Sequence, residues 1–203
     1  MGCGIGGLTT LVAEAGYDVY GVDVTDANIE ETNKLLPGKA SYGDITRLKF
    51  NNEFDGFVCG EVVEHIKDQE GMVRNLNQIL KPNGVGVIST ALNPKLWNVE
   101  DHWSGHVKRY TVQDFTKLFE RHGFVVENFR FFGPLHKAYF FWFYIPLIRK
   151  DLEAGRQPDF GNAKIKKASI LKRLLFWLFH FDLLFSRWNN GIYFIVTVRK
   201  VHG

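Results

Sequence analysis

The first two thirds of the chain alternate short apolar runs with amphipathic stretches, as in a parallel α/β sheet. Continuous apolar runs predict strands, whereas apolar positions spaced by three or four residues predict helices. We expect helices at residues 8–15, 26–36, 68–80 and 111–123, and strands at 17–23, 54–60, 84–90, 124–132 and 191–201. Residues 40–45 predict a brief strand and turn, and KPNG at 81–84 predicts a turn. Glycine or proline follows several of these helices and marks their ends. The pattern predicts a doubly wound α/β fold.

A different pattern occupies residues 134–188, between the last two predicted strands. Residues 138–148 are all apolar, and residues 174–185 are interrupted only by His180 and Asp182. Neither run reaches the roughly 20 residues that a membrane-spanning helix needs. Because residues 164–173 are basic, we expect a helical, aromatic and basic insertion that lies in a membrane interface. A helical cap on the domain, or a dimer contact, is the alternative.

This insertion divides the chain into two parts. We expect one domain formed by residues 1–133 and 189–203, and an insertion formed by residues 134–188. The net charge of +3 is too small to indicate a nucleic-acid partner by itself, so no DNA partner is predicted. The two cysteines, Cys3 and Cys59, cannot form a disulfide framework, and no signal peptide is visible. We expect a cytoplasmic protein, placed by its insertion at the membrane surface, and leave the oligomeric state open.

The glycine-rich start, MGCGIGG, is typical of a loop that opens a helix and presents backbone N–H groups to an anionic ligand. Its spacing fits the pyrophosphate loop of nicotinamide and flavin proteins. It fits equally the loop that receives the carboxylate of S-adenosylmethionine. Asp23 follows Gly4 by 19 residues at the end of a predicted strand, where a carboxylate can accept two ribose hydroxyls. The loop and Asp23 thus predict a nucleoside cofactor of either kind.

Further segments decide between these cofactors, because they resemble the class I S-adenosylmethionine-dependent methyltransferases. They are VDVT (22–25), GDI (43–45), FDGFVCGEVVEHI (54–66) and LKPNGVGVIST (80–90). The resemblance covers about residues 1–133 and the last strand. It implies a Rossmann-like, mostly parallel sheet with an antiparallel last strand, and S-adenosylmethionine as cofactor. The cofactor-binding residues that it implies are Gly2, Cys3, Gly4, Ile5, Gly6, Asp23, Val24, Gly43, Asp44, Ile45, Gly60 and Glu61. Asp44 and Ile45 would contact adenine, and Gly60 and Glu61 would line the methyl end.

One strand of that family pattern is missing. In the family, a strand ending in an acidic residue precedes the first glycine, whereas this sequence begins one residue before Gly2. That strand lies in the middle of the sheet, so without it two neighbours are unpaired and apolar surface is exposed. We expect the native protein to extend upstream by a strand and a helix, because the start codon is placed too late or the chain is a fragment. A strand donated by a partner is the third alternative.

The candidate catalytic residues follow the fourth strand of the family pattern. A sulfonium is a good leaving group, so the protein must mainly align the acceptor and remove a proton. Glu61, Glu64 and His65 are spaced to share one face of a helical turn. A later stretch adds His102 and His106 ahead of a helix that Thr111 is expected to cap. We predict catalytic roles for His65, His106, Glu61 and Glu64.

The Glu-x-x-Glu-His pattern with a later histidine resembles the ubiquinone-pathway O-methyltransferases and the small-RNA 2′-O-methyltransferases. Some members of these groups hold a divalent metal with such residues, so a metal is possible here but is not part of the prediction. Alternatively, Glu61 and Glu64 stabilise the N-terminus of the next helix. The predicted function is S-adenosylmethionine-dependent O-methylation of an amphipathic or lipid-linked small molecule or glycan. RNA 2′-O-methylation and a non-catalytic cofactor-binding scaffold are the alternatives, with a dehydrogenase last.

Overall fold

The structure is a computed structural model that describes residues 1–156, 181–182, 184, 186–187 and 191–201. The strands are β1 (Gly21–Asp23), β2 (Ala40–Tyr42), β3 (Phe54–Gly60), β4 (Leu80–Ala91), β5 (Phe124–Phe131) and β6 (Tyr193–Lys200). The helices are α1 (Gly7–Glu14), α2 (Asp26–Leu35), α3 (Gln69–Ile79), α4 (Val99–Ser104), α5 (Val112–Glu120), α6 (Pro134–Tyr139) and α7 (Ile145–Glu153). A π-helical turn, Phe140–Tyr144, joins α6 to α7, and short 3-10 turns occur at Val63–His65 and Pro94–Leu96.

The strands form two hydrogen-bonded groups. β1 and β2 pair in parallel, and a four-stranded sheet has the order β3-β4-β6-β5. β3 and β4 are parallel, whereas β6 runs antiparallel to both of its neighbours. The predicted α/β fold with an antiparallel last strand is confirmed.

The first residues of the chain lie between β1 and β3. The Met1 amino group donates to the Val58 carbonyl of β3 at 2.7 Å, and the Cys3 N–H donates to the Val22 carbonyl of β1 at 2.9 Å. No strand of the described residues pairs with both β1 and β3. Leu11 of α1 is also exposed. The upstream extension itself stays a prediction.

Helices α3 and α5 cover the four-stranded sheet with apolar stripes. Phe115, Leu118 and Phe119 of α5 are buried at the spacing of one helix face, and the rings of Phe115 and Phe119 stack at 4.3 Å. Thr111 accepts a hydrogen bond from the Asp114 N–H at 3.0 Å, which confirms the predicted cap. The core therefore lies between this sheet and α3 and α5.

Two predicted strands differ from the observed ones. β1 covers only Gly21–Asp23, not residues 17–23, because only these three residues pair with β2. β4 starts at Leu80 and so includes the predicted turn at residues 81–84, where its pairing with β3 shifts in register. Asn83 in that turn has a φ of 65°, as a tight turn requires.

The helices after β5 have two unlike faces. Phe140 and Ile145 are buried against Ile192, whereas Trp142 and Phe143 are exposed. The described residues contain no helix of the length and apolarity needed to cross a bilayer. The predicted basic segment 164–173 and most of the apolar run 174–185 lie outside the described residues, and the division at residue 134 stays a prediction.

Candidate active site

Asp23 connects the glycine-rich loop to the end of β1. Its Oδ2 accepts from the Gly4 N–H at 2.9 Å, and its Oδ1 accepts from the Thr25 N–H at 3.0 Å. The Asn28 side chain donates to the same Oδ1 at 3.2 Å. The sequence predicts that Asp23 binds the ribose, but it does not predict that Asp23 also accepts a hydrogen bond from the glycine-rich loop. Asp23 is thereby fixed at the carboxyl end of β1, beside the start of α1.

The backbone of the loop explains its glycines. Gly2, Gly4 and Gly6 all have positive φ, which side chains rarely tolerate. A Cβ on Gly6 would lie 3.1 Å from the Thr32 Cα, so the loop packs closely on α2. No atom lies within 4 Å of a Cβ built on Gly4. The loop is therefore closed against α2 at Gly6 and open at Gly4, as a ligand-binding loop must be.

The other predicted cofactor residues have varied surroundings. Val24 is exposed just after Asp23, and Gly43 donates its N–H to the Asp23 carbonyl at 3.0 Å. Asp44 accepts from the N–H and hydroxyl of Thr46 at 2.9 and 2.7 Å, and these bonds hold the pKa of Asp44 below its usual range. Ile45 is buried in the core. The adenine contacts of Asp44 and Ile45 stay predictions.

Glu61 is not in a helical turn with Glu64 and His65, so the helical geometry expected from their spacing is wrong, although the Glu61 and Glu64 carboxyls still interact. Glu61 is held at the end of β3, because its N–H donates to the Ser89 carbonyl at 3.0 Å and its Oε1 accepts from the Ser89 hydroxyl at 2.6 Å. Its φ is 51°, a left-handed conformation that costs roughly 1–2 kcal/mol outside glycine. The alternative in which Glu61 and Glu64 cap the next helix is also wrong, since Asp68 caps α3.

The segment after β3 lies directly against the glycine loop. The Val62 side chain occupies the place where a Cβ on Gly2 would lie. A Cβ on Gly60 would lie 3.5 Å from the Leu8 side chain at the start of α1. The structure thus brings the predicted cofactor loop and the predicted catalytic residues to one end of the fold.

Glu64 is the most buried of these candidates, with no exposed surface. Its Oε2 accepts from the Thr90 hydroxyl at 2.8 Å, whereas its Oε1 has no hydrogen-bond partner among the described residues. Burial, and then the negative charge of Glu61, raise the pKa of Glu64 to about 9. Burial and the nearby Glu61 carboxylate therefore favour the neutral form of the Glu64 carboxyl.

Two histidines complete the cluster. His106 Nε2 lies 4.0 Å from Glu64 Oε1, and the His106 ring meets the His65 ring edge to face at 4.8 Å between centroids. The Val107 N–H donates to the Glu64 carbonyl at 2.8 Å, which docks the loop of His106 on the 3-10 turn of Glu64. Burial, and then His106, lower the pKa of His65. Glu64, His65 and His106 form one site, as their sequence pattern predicts.

Sequence reasoning missed the residues behind His106. Asp101 Oδ1 lies 2.8 Å from His106 Nδ1, and Arg109 donates from Nε to the same oxygen at 2.6 Å. Arg109 also donates from Nη2 to Glu100 at 3.3 Å. The one signal for this group is the Asp-x-x-x-x-His spacing in DHWSGH. His102, the other histidine of that stretch, instead accepts from the Trp97 indole at 3.0 Å.

The cluster fits a divalent cation. One ligand atom each from Glu64, His65 and His106 lies within 4.8 Å of the others. The remaining polar atom of each side chain is held by Thr90, the Gly105 carbonyl and Asp101, respectively, as is usual for metal ligands. Oxygen and imidazole ligands suit Mg²⁺ or Mn²⁺. Glu61 is not in this group, although the sequence pattern includes it.

A mostly parallel α/β sheet, an open glycine loop and an aspartate at a strand end together define a Rossmann-like protein with a site for a nucleoside cofactor. The family model described as Methyltransferase domain matches residues 1–128. The chain therefore belongs to the methyltransferase domain family, with the class I S-adenosylmethionine-dependent methyltransferase fold, and this prediction is confirmed.

Individual proteins agree with this assignment. The chain is 36% identical over 95 residues to the ubiquinone biosynthesis O-methyltransferase of Rickettsia canadensis, a match that covers 44% of this chain and 40% of that protein. Its fold is similar to that of an S-adenosylmethionine-dependent methyltransferase from Mesorhizobium loti, with a TM-score of 0.62, 17% identity, and 98% and 88% of the two chains covered. Phosphoethanolamine N-methyltransferase 2 of Haemonchus contortus, in complex with S-adenosyl-L-methionine, has a TM-score of 0.62 at 21% identity, covering 99% of this chain and 47% of that one.

Proposed function

We propose that the protein transfers a methyl group from S-adenosylmethionine to a hydroxyl oxygen of a small amphipathic acceptor. One observation carries this proposal. The imidazole of His106 and the buried carboxyl of Glu64 lie beside the segment 60–62, which itself contacts the glycine loop. An acceptor hydroxyl in this space would face both a proton acceptor and the methyl end of the cofactor.

S-adenosylmethionine supplies a methyl group on a sulfonium, so the chain needs to add only alignment and proton removal. The N–H groups at the glycine loop and the start of α1 bind the carboxylate of the cofactor, and Asp23 binds its ribose. His106 accepts the proton of the acceptor hydroxyl at Nε2 as the oxygen forms its bond to carbon. The Glu100 carboxylate, 3.9 Å from Nε2, stabilises the resulting imidazolium. Glu64, whose raised pKa favours the protonated form, lies beside this base and orients the acceptor hydroxyl toward Nε2.

The test measures methyl transfer from labelled S-adenosylmethionine to a panel of phenols, aliphatic alcohols and primary amines, with the products identified by mass spectrometry. We expect methyl ethers, and a fall in kcat of about 100-fold or more in His106→Gln with the cofactor Kd unchanged. His122→Gln is the matched control, because His122 lies outside the candidate site. Its Nδ1 contacts the Leu118 carbonyl and its Nε2 contacts the Glu70 carboxylate. Methylated amines as the main products would contradict the proposal.

The Glu64, His65 and His106 group also supports the alternative in which a divalent metal binds the acceptor hydroxyl, as for the 2′-hydroxyl of RNA. A metal there would polarise the hydroxyl and lower its pKa. Dialysis against a chelator, followed by addition of Mg²⁺ or Mn²⁺ with RNA or small-molecule acceptors, separates the two functions. Turnover that survives the chelator and ignores RNA favours the metal-free small-molecule reaction.

The exposed face of the helices after β5 bears on the acceptor class. Trp142 is 75% exposed, and Phe143 and Leu147 are exposed beside it. Arg149 and Lys150 follow at exposed positions. Aromatic side chains next to basic ones are typical of segments that lie in the interface of an anionic membrane. We therefore propose a lipid-linked acceptor that the protein meets at a membrane surface.

A further inference from the structure

A buried, charged network lies behind His106, away from the glycine loop. Asp101 and Arg109 are both buried, and so is Glu100, which binds the Arg109 guanidinium. Arg109 also donates from Nη1 to the Leu92 carbonyl at 3.3 Å. Arg109 thus spans from the end of β4 to α4, and its charge is matched by carboxylates on both sides of its guanidinium.

The contacts of Asp101 decide the protonation of His106. Oδ2 accepts from the Asn98 N–H at 2.8 Å, and Oδ1 accepts from Arg109 Nε at 2.6 Å. Both groups donate, so Asp101 is an acceptor on both oxygens, and the hydrogen in its 2.8 Å contact with His106 lies on Nδ1. In a neutral imidazole with hydrogen on Nδ1, the lone pair is on Nε2.

The surroundings of Nε2 leave that lone pair unused. The nearest carboxylate oxygens, on Glu64 and Glu100, are 4.0 and 3.9 Å away, beyond hydrogen-bond distance. The backbone of His106 is fixed as well, because its N–H donates to the Asp101 carbonyl at 2.8 Å after the left-handed turn at Gly105. Both ring and backbone of His106 are therefore positioned by Asp101.

We propose that Asp101 and Arg109 are positioning residues that hold His106 in the Nδ1-protonated tautomer, with Nε2 open toward the acceptor. This inference rests on the proposed function, in which Nε2 takes the proton of the acceptor hydroxyl. Arg109 acts one step further back: it fixes the Asp101 oxygen that His106 contacts. Neither residue touches the reacting atoms.

A purely structural role for Asp101 is the competing explanation, because Asp101 also closes the capping box of α4 with Asn98. In Asp101→Asn the new NH₂ group must face one of three donors. If it faces His106, the ring has to accept at Nδ1 and carry its hydrogen on Nε2, which blocks the base. If it faces the Asn98 N–H instead, only the cap is lost. Asn98→Ala is thus the matched control, since it removes the Asn98 half of the cap and leaves Asp101 and His106 in place.

The experiment combines two readouts on the full chain. The first is ¹⁵N NMR of the His106 ring at one neutral pH, which reports the tautomer and needs no acceptor. We expect hydrogen on Nδ1 in the wild type and in Asn98→Ala, and a mixture or the opposite tautomer in Asp101→Asn. The second is kcat and KM, where Asp101→Asn should lower kcat by about 100-fold or more at an unchanged KM for S-adenosylmethionine. Arg109→Lys should give a smaller fall in kcat. It serves as the second variant for both readouts if Asp101→Asn does not fold.

Two results would overturn the inference. One is hydrogen on Nε2 in the wild type. The other is equal kcat in Asp101→Asn and Asn98→Ala at equal thermal stability, when NMR shows that the His106 hydrogen has moved to Nε2 in Asp101→Asn and His106→Gln itself lowers kcat. Failure of the proposed function looks different. In that case the tautomer still changes in Asp101→Asn, but His106→Gln leaves methyl transfer unaltered, so His106 is positioned without being the base.

Discussion

Glu64 is a buried acid in the candidate site whose surroundings favour its neutral form. Glu64 has no exposed surface, one hydrogen bond from Thr90, and Glu61 nearby. Burial without a cationic partner favours the protonated form of a carboxyl. Glu64 Oε1 lacks a hydrogen-bond partner among the described residues, so the protonated form places a free donor beside the proposed base, His106.

This state of Glu64 links stability to pH. Its pKa rises from the ordinary value of 4.5 to about 9 in the folded protein, so between these values the folded state binds the proton that the unfolded state has released. The contribution of Glu64 is thus fully present below about pH 4.5 and is lost as pH rises toward about 9, with a slope of up to about 1.4 kcal/mol per pH unit. Glu64→Gln, neutral at every pH, should remove this slope from the free energy of unfolding in urea. Glu14→Gln, on the exposed end of α1, should leave it unchanged. Parallel slopes in the wild type and Glu64→Gln would show that Glu64 is ionised when folded.

At the scale of elements, the glycine loop depends on its close packing against α2. Gly6 and Gly16 both have left-handed backbones, with φ of 86° and 92°. Only Gly6 has a neighbour where a side chain would go, since no atom lies within 4 Å of a Cβ on Gly16. The free energy of unfolding should fall by about 1 kcal/mol in each of Gly6→Ala and Gly16→Ala, because alanine is strained in a left-handed backbone conformation. In Gly6→Ala the free energy of unfolding should fall by about 1 kcal/mol more, because the new methyl group overpacks against Thr32. Its affinity for S-adenosylmethionine, measured by calorimetry, should also be lower. Equal stability and equal affinity in the two variants would contradict this account of the loop.

Elements with a strong period were predictable from the sequence, and so were the positions of two polar residues of the candidate site. The apolar runs of β3 and β4 and the stripe of α5 predict their own structure, and Asp23 and His106 follow from motif spacing. The left-handed Glu61 was not predictable, because its conformation comes from two bonds to Ser89 on a neighbouring strand. Helix α4 lacks a periodic apolar stripe, and Asp101 reaches His106 only through the turn at Gly105. Such roles arise from contacts between segments, which periodicity does not record.

At the scale of the whole molecule, the helices that carry the exposed aromatic face pack against an element of the candidate site. α7 packs on α4, the helix that carries Asp101. Val99 of α4 also packs against the buried side of the aromatic helices, where Phe140 and Ile145 lie. A membrane that binds the opposite, exposed side would therefore lie on the same part of the fold as His106. Under the proposed function, these helices would lie between the membrane and the base, so a lipid-linked acceptor would pass along them to reach His106.

The membrane proposal predicts a difference between two exposed aromatic residues. Trp142 is 75% exposed on the helices after β5, and Tyr17 is 70% exposed before β1. Trp142→Ser should lower binding to vesicles containing phosphatidylglycerol by about 5- to 20-fold in a flotation assay, because the indole loses its burial in the interface. Tyr17→Ser removes a similarly exposed ring far along the chain from the aromatic helices and should leave binding unchanged. Pure phosphatidylcholine vesicles should bind the wild type more weakly, since the basic residues Arg149 and Lys150 need anionic lipid. If both variants float as the wild type does, or if the wild type stays entirely in solution, the aromatic face does not bind a membrane. The lipid-linked acceptor then loses its support. Methyl transfer to a hydroxyl would still be tested separately, by the assay with labelled S-adenosylmethionine.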